Sequence, residues 1–338
     1  MIRRTAAMRR PLMMAAALAF AMPAAAIAQG SSAQGFPVAG KPVTIVGGFP
    51  NGSGTDIYSR KLAEPLARAL GVPVVVDNRV GAGGNIAMEH VAKAAPDGHT
   101  ILMGTSAMLA INPALYARMP IDTMKDLAPV IALADVPNAL TVAPERRPQF
   151  TDCRAVIAAA KAQPGRLNYA STGNGASTHL AGAQFAAAAG IEMVHVPYRG
   201  GPFAMTALLG GEVDIFLHQT PALVGPYRQG QVRLLGVTSR GRVAGFPDVP
   251  TMAEACGLPG FETTTWYLLA VPAATPAPII ERLATEVRKV IDEPSFVAWV
   301  QEQGMTPMAE GPAGARALLA ADLPKWAEVV RRSGARVD

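Results

Sequence analysis

Apolar positions along this chain fall into two alternating patterns, short unbroken runs and longer stretches spaced every three or four residues. Residues 43–46 read as a buried strand. Tyr58, Leu62, Leu66 and Leu70 then recur every four residues, the signature of a helix with one apolar face. Pro65 is expected to bend that helix or shift its start, and Gly71 to end it. Residues 72–76 and 100–103 read as further strands, with a helix from Gly81 to Ala95 between them and a turn at Pro96-Asp97-Gly98.

The same grammar restarts downstream. Helices are predicted over 152–162, 178–189 and 203–209, and strands over 167–170, 193–196, 213–217 and 232–237. Prolines at 247, 250 and 259 mark a loop-rich return to a strand at 266–271. Pro278 suits the first turn of a C-terminal helix, and the helical tail is expected to pack back on the first half. Two rounds of βαβ units predict two mostly parallel sheets flanked by helices.

The first 28 residues follow a different logic. Arg3, Arg4, Arg9 and Arg10 make a basic start, residues 11–26 are almost wholly apolar, and Ala26-Ile27-Ala28 has a small-x-small pattern. Together these predict a secretory signal peptide over residues 1–28, cleaved after Ala28. The run is short for a membrane span and lacks a positive stop-transfer flank. No Cys follows the cleavage site, so no lipid anchor is expected, and the residues after Arg3-Arg4 do not support twin-arginine export.

Export changes the charge argument. Four positive charges of the net +5 belong to the leader, so a chain cleaved after Ala28 carries +1. The basic balance therefore gives no support for a nucleic-acid partner. With half its residues hydrophobic and 16% charged, the chain is able to bury a large core. Cys153 and Cys256 fit no metal spacing. In an oxidising compartment they could pair, and two inert buried thiols are the other reading.

Three loops could carry chemistry. Residues 47–56 run from a strand into a helix start, where free N–H groups face whatever binds and glycines let it approach. The Gly47/Gly52 spacing resembles a P-loop, but Ser53 replaces the required Lys. Thr55 or Asp56 reads as the helix cap. Residues 81–85 partly match a dinucleotide fingerprint, with Ile86 at the third glycine position, and read as a close helix–strand turn. Residues 171–179 again join a strand to a helix and are rich in hydroxyls suited to a carboxylate.

Enzyme chemistry finds little footing. Gly104-Thr105-Ser106-Ala107-Met108 lacks the second glycine of a nucleophile elbow. Histidines 90, 99, 179, 195 and 218 show no zinc spacing. Neither a metal nor a cofactor is expected, and the pattern describes a binding cleft better than an active site.

Taken in order, several segments resemble the tripartite tricarboxylate transporter substrate-binding family, also called Bug receptors. They are Val43-Thr44-Ile45-Val46 with the glycine loop ending in Asp56, Val74-Val75-Val76-Asp77-Asn78-Arg79, and Gly81-Ala82-Gly83-Gly84. Ala95-Pro96-Asp97-Gly98, Ala170-Ser171-Thr172-Gly173, His195-Val196-Pro197-Tyr198-Arg199-Gly200 and Pro247-Asp248-Val249-Pro250-Thr251 complete the set.

The resemblance implies an α/β two-lobe periplasmic-binding-protein fold of the Venus flytrap type. Lobe one would comprise residues 36–137 plus 262–338 and lobe two residues 138–261, with crossing segments near 135–140 and 255–265. It implies a periplasmic, monomeric receptor that delivers a small carboxylate to tripartite tricarboxylate-type membrane permease subunits. Ligand presentation to a sensor kinase is the alternative role, and a nucleotide-dependent enzyme a more distant one.

Carried over by position, the ligand would meet Phe49, Gly52, Ser53, Thr55 and Asp56 from lobe one, with Ser106 beside them. From lobe two it would meet Ser171, Thr172, Gly173, Ser177 and His179, with Tyr198 and Gln219 walling the cleft and ordered water assisting. Asp56 is an odd partner for a carboxylate and is expected to brace its loop. The first loop departs from the family's proline-rich pattern in Gly47-Gly48, Asn51 and one extra residue, and His218-Gln219 is also unusual.

Overall fold

In a computed structural model, which describes residues 1–2, 35–333 and 336–337, the first apolar run forms β1 (Val43–Gly47). The predicted leader beyond Ile2 and its cleavage site lie outside the described residues. Helix α1 (Gly54–Leu70) follows, burying Tyr58, Leu62, Leu66 and Leu70 on one face. It continues through Pro65 without ending, and stops at Gly71 in the left-handed conformation. Then come β2 (Val74–Asn78), α2 (Asn85–Ala92), β3 (Thr100–Thr105) and, after a π-type turn at Ala107–Ile111, the short α3 (Asn112–Leu115).

The middle of the chain is built on β4 (Leu127–Val142), 16 residues long. It leads into α4 (Cys153–Ala162), β5 (Asn168–Ser171), α5 (Ser177–Ala189), β6 (Val194–Pro197) and α6 (Gly201–Gly210). Next are β7 (Ile215–Gln219), α7 (Val224–Arg228), β8 (Arg233–Val237) and α8 (Met252–Cys256). The return consists of β9 (Thr264–Pro272), α9 (Ala277–Ile291), α10 (Pro294–Glu302), β10 (Thr306–Glu310) and α11 (Pro312–Ser333).

The strands form a mixed sheet system whose parallel pairings fall into two groups. β1 pairs in parallel with β2 and β3, and β5 in parallel with β6 and β7. Between these groups the pairings are antiparallel: β3 with β9, and β4 with β7, β8, β9 and β10. β4 changes partners along its length. Its register with β9 ends at Pro137 opposite Thr264, and its register with β7 begins at Asn138 opposite Gln219.

Neither β4 nor β10 stands out in the sequence. β4 is flanked by strands on both edges and buried almost throughout, so it shows no alternation of apolar and polar residues. Its prolines sit where the ladder is already interrupted. Pro129 adjoins a slip in the register with β9, and Pro137 marks the change of partner.

Four apolar clusters lie between the sheet and its helices. α9 supplies Leu283, Val287 and Val290 to the cluster that holds α1 against β1. The C-terminal α11 supplies Ala315, Leu319 and Trp326 to the cluster containing Val46, Leu102 and Leu268, so the tail does pack on the first group of strands. Trp266 Nε1 fixes it further by donating to Asp322 Oδ2 at 2.6 Å. Cys153 and Cys256 form a disulfide that ties α4 to α8 in a third cluster. Among the described residues no helix is long and apolar enough to cross a membrane.

Candidate functional site

The loop after β1 turns on Ser53. Its Oγ accepts from Asp56 N at 3.3 Å, so Ser53 caps α1, in place of the expected Thr55 or Asp56. Thr55 Oγ1 lies 3.1 Å from the same hydroxyl. Asp56, 4% exposed, faces backwards into the loop, where its carboxylate accepts from Gly52 N at 2.9 Å, Arg60 Nε at 3.0 Å and Asn78 Nδ2 at 2.6 Å. Burial works to raise its pKa, but these hydrogen bonds outweigh it and hold the carboxyl below its ordinary range.

The loop after β5 is braced by two histidines. Ser171 Oγ lies 2.6 Å from His195 Nε2, and His179 Nδ1 accepts from Gly175 N at 3.0 Å. The two imidazoles stack with centroids 3.8 Å apart. Burial lowers the pKa of His179, and burial together with His179 pushes His195 down to about 4. Both rings are therefore neutral near pH 7, as the Gly175 hydrogen bond requires. In front of them Thr172 N donates to Thr178 Oγ1, and Ser177 stands in the first turn of α5.

The loop at residues 81–84 forms a third wall. A Cβ on Gly48 would lie 2.8 Å from Gly84 Cα, so the first and second glycine loops touch only because neither carries a side chain there. A Cβ on Gly83 would approach the Tyr116 hydroxyl at 2.8 Å.

These walls enclose two adjoining chambers whose linings share Phe49, Ala107, Thr172 and Ala176. The outer chamber has a volume of about 400 Å³, in the range of small-molecule sites. It is lined by Phe49, Thr172, Gly173 and Tyr198 among the expected residues, and by Asn112, Tyr116, Asn174, Arg199 and the Gly81–Gly84 loop besides. The inner chamber, about 20 Å³, has room for about one water and is lined by Ser53, Thr55, Thr105, Ser177, His218 and Gln219.

Five expected residues lie outside the lining. Gly52 and Asp56 are bonded to each other, Ser171 and His179 belong to the histidine brace, and fully buried Ser106 Oγ lies 2.6 Å from Thr265 Oγ1. The other eight line one chamber or both.

His218 lies flat against Phe216, ring centroids 4.3 Å apart, with its Nδ1 buried and unpartnered among the described residues. Burial pushes its pKa down to about 3, so it brings no charge to the inner chamber at neutral pH. Gln219 is anchored from behind: Tyr267 OH donates to its Oε1 at 2.8 Å, leaving Nε2 3.5 Å from Ser177 Oγ. Of the lining residues not anticipated, the 81–84 loop carried a glycine signal that reads as an ordinary turn. Asn112 and Tyr116 reach the cavity through the π-type turn after β3, which has no local sequence signature.

Comparison with known proteins places these features in a wider group. A family described as the tripartite tricarboxylate transporter family receptor matches residues 58–335. BugT of Bordetella pertussis is 36% identical over 314 residues, covering 93% of this chain and 95% of BugT. The solved structure of R. palustris Rpa4515 with adipate has a TM-score of 0.84 at 33% identity, covering 88% of this chain and 98% of that one. That of the periplasmic binding protein BugD has a TM-score of 0.81 at 32% identity, covering 87% and 98%.

Proposed function

The chain belongs to the tripartite tricarboxylate transporter receptor family, and on that premise we propose that it is an exported, periplasmic, monomeric receptor that captures a small organic acid between its chambers and delivers it to a membrane permease. One observation carries the reading. The starts of α1 and α5 converge on a shared cavity, one bringing Ser53 and Thr55, the other Ser177, with Thr172 beside them from the loop after β5. Free N–H groups and hydroxyls at two helix starts suit a carboxylate without any charged partner beside it. The inner chamber adds room for a bridging water.

The change of partner in β4 between Pro137 and Asn138 supports a division into two lobes, residues 36–137 with 262–338 and residues 138–261. Closure of one lobe on the other around the acid would give the permease a distinct bound form to recognise.

Calorimetry of the purified protein, refolded to remove carried-over ligand, against a panel of organic acids tests the proposal. Micromolar or tighter binding of an acid is expected. Heat from none of the panel would sink it. Loss of uptake of the bound acid on deleting the gene, with permease subunits intact, tests delivery.

A further inference from the structure

The charges around the cavity bear on the kind of acid it takes, an inference that rests on the carboxylate-receptor reading above. Among the described residues, Arg199 is the one charged residue lining either chamber. It stands between Tyr198 and Gly200 on the segment joining β6 to α6, is exposed, and makes no hydrogen bond or ion pair with its side chain among the described residues. Some arginines elsewhere are paired, Arg60 with Asp56 and Arg147 with Asp214, while others such as Arg118 and Arg154 are as unpartnered among the described residues as Arg199; what sets Arg199 apart is its place on the chamber wall.

The inner chamber has the opposite character. Its polar groups are hydroxyls, the Gln219 amide and an imidazole kept neutral by burial. With room for about one water, it leaves the body of a ligand to the outer chamber. An acid whose first carboxylate sits at the boundary, by Thr172, extends its far end into the chamber that Arg199 lines. No Asp or Glu among the described residues lines either chamber, and Glu212, outside the lining, is engaged by the Tyr198 side chain, so an ammonium group meets no free carboxylate on the wall, whereas a second anionic group meets Arg199.

We propose that Arg199 is the specificity residue of this receptor, and that it selects organic acids bearing a second anionic group and no amino group. The ligand class is thus the dicarboxylates, in preference to monocarboxylates and amino acids.

Carbon-matched probes test this by calorimetry: adipate, caproate and ε-aminocaproate as one set, and succinate, butyrate and γ-aminobutyrate as another. In the set that fits the cavity, the diacid should bind about tenfold tighter than the monoacid, and the amino acid weakest. Arg199→Gln should bring the diacid down to the monoacid's affinity while leaving the monoacid within about twofold, and Arg199→Lys should keep part of the preference. Because Arg199 is exposed, the preference should also shrink between about 20 mM and about 300 mM salt. Equal affinities for diacid and monoacid in the unaltered protein, or a preference that survives Arg199→Gln, would overturn the assignment to Arg199 and leave the carboxylate reading standing. Binding of no acid in either set would overturn both.

Discussion

The Tyr267 hydroxyl, fully buried on β9, donates to the side-chain oxygen of Gln219 at the end of β7, 2.8 Å away. This bond joins two strands that do not pair with each other, and it sets the orientation of an amide that lines the inner chamber. A Cβ on Gly54 would overlap that hydroxyl, so the start of α1 fits here only as glycine.

Tyr267→Phe removes the donor while keeping the ring. Stability should fall by about 1–2 kcal/mol, the usual cost of leaving a largely buried acceptor unpaired. Acid affinity should fall as well, because Gln219 is then free to turn. Denaturant unfolding and calorimetry on the same preparation check both, and an unchanged affinity would show that the Gln219 orientation is irrelevant to binding.

Ser177 offers the cleaner probe of the site. Its hydroxyl has one distant neighbour, Gln219 Nε2 at 3.5 Å, and it does not cap α5. Ser177→Ala should therefore weaken acid binding about fivefold or more while changing stability by less than about 0.5 kcal/mol. A variant that binds as tightly as the original protein would remove Ser177 from the ligand's contacts.

Acid pH should destabilise the fold through its buried histidines. Burial lowers the pKa of His179, takes His195 from 6.5 to about 4 and takes His218 to about 3. Below pH 6.5 the unfolded chain takes up protons that the folded chain excludes, so stability is lost as pH falls from 6.5 towards those depressed values. Each histidine contributes a slope of at most about 1.4 kcal/mol per pH unit. Unfolding free energies between pH 7 and pH 5 measure the slope, and His195→Asn should flatten it. A profile with the same slope in that variant would mean that His195 titrates normally.

The disulfide should matter for stability and little for binding. Cys153 and Cys256 close a loop of 103 residues inside the cluster around α4 and α8, and neither lines a chamber. Replacing both by Ser should cost up to about 4–5 kcal/mol on the chain-entropy account and leave acid affinity within about twofold. Denaturation and calorimetry of the double variant separate the two effects. A large loss of affinity with intact folding would tie the bridge to the site instead.

Much of this fold is legible from local pattern. The four-residue spacing of Tyr58, Leu62, Leu66 and Leu70 marks α1, and the glycines that stop α1 and α5 are visible as such. β4 is not, because a strand buried on both faces between two neighbours has no period to read, and its prolines argue against it. At the site, the hydroxyl-rich helix starts are legible because capping residues and ligand-facing residues are drawn from the same small set. Which of them face the cavity is decided by partners far away in sequence. Ser171 is drawn off by His195 and Ser106 by Thr265, while Ser177 has no such strong competitor. Asn112 and Tyr116 owe their place to the turn after β3 and to the glycine loop it faces.

The pairing of Pro137 with Thr264 has a consequence for how this chain can be taken apart. The backbone leaves the first group of strands and re-enters it at neighbouring points on one ladder. Everything from Asn138 to Thr263 is thus a single excursion whose two ends meet. If the proposed two-lobe division holds, such a segment should tolerate new termini by circular permutation near its ends, at the cost of contacts such as Tyr267 with Gln219 only where they are cut.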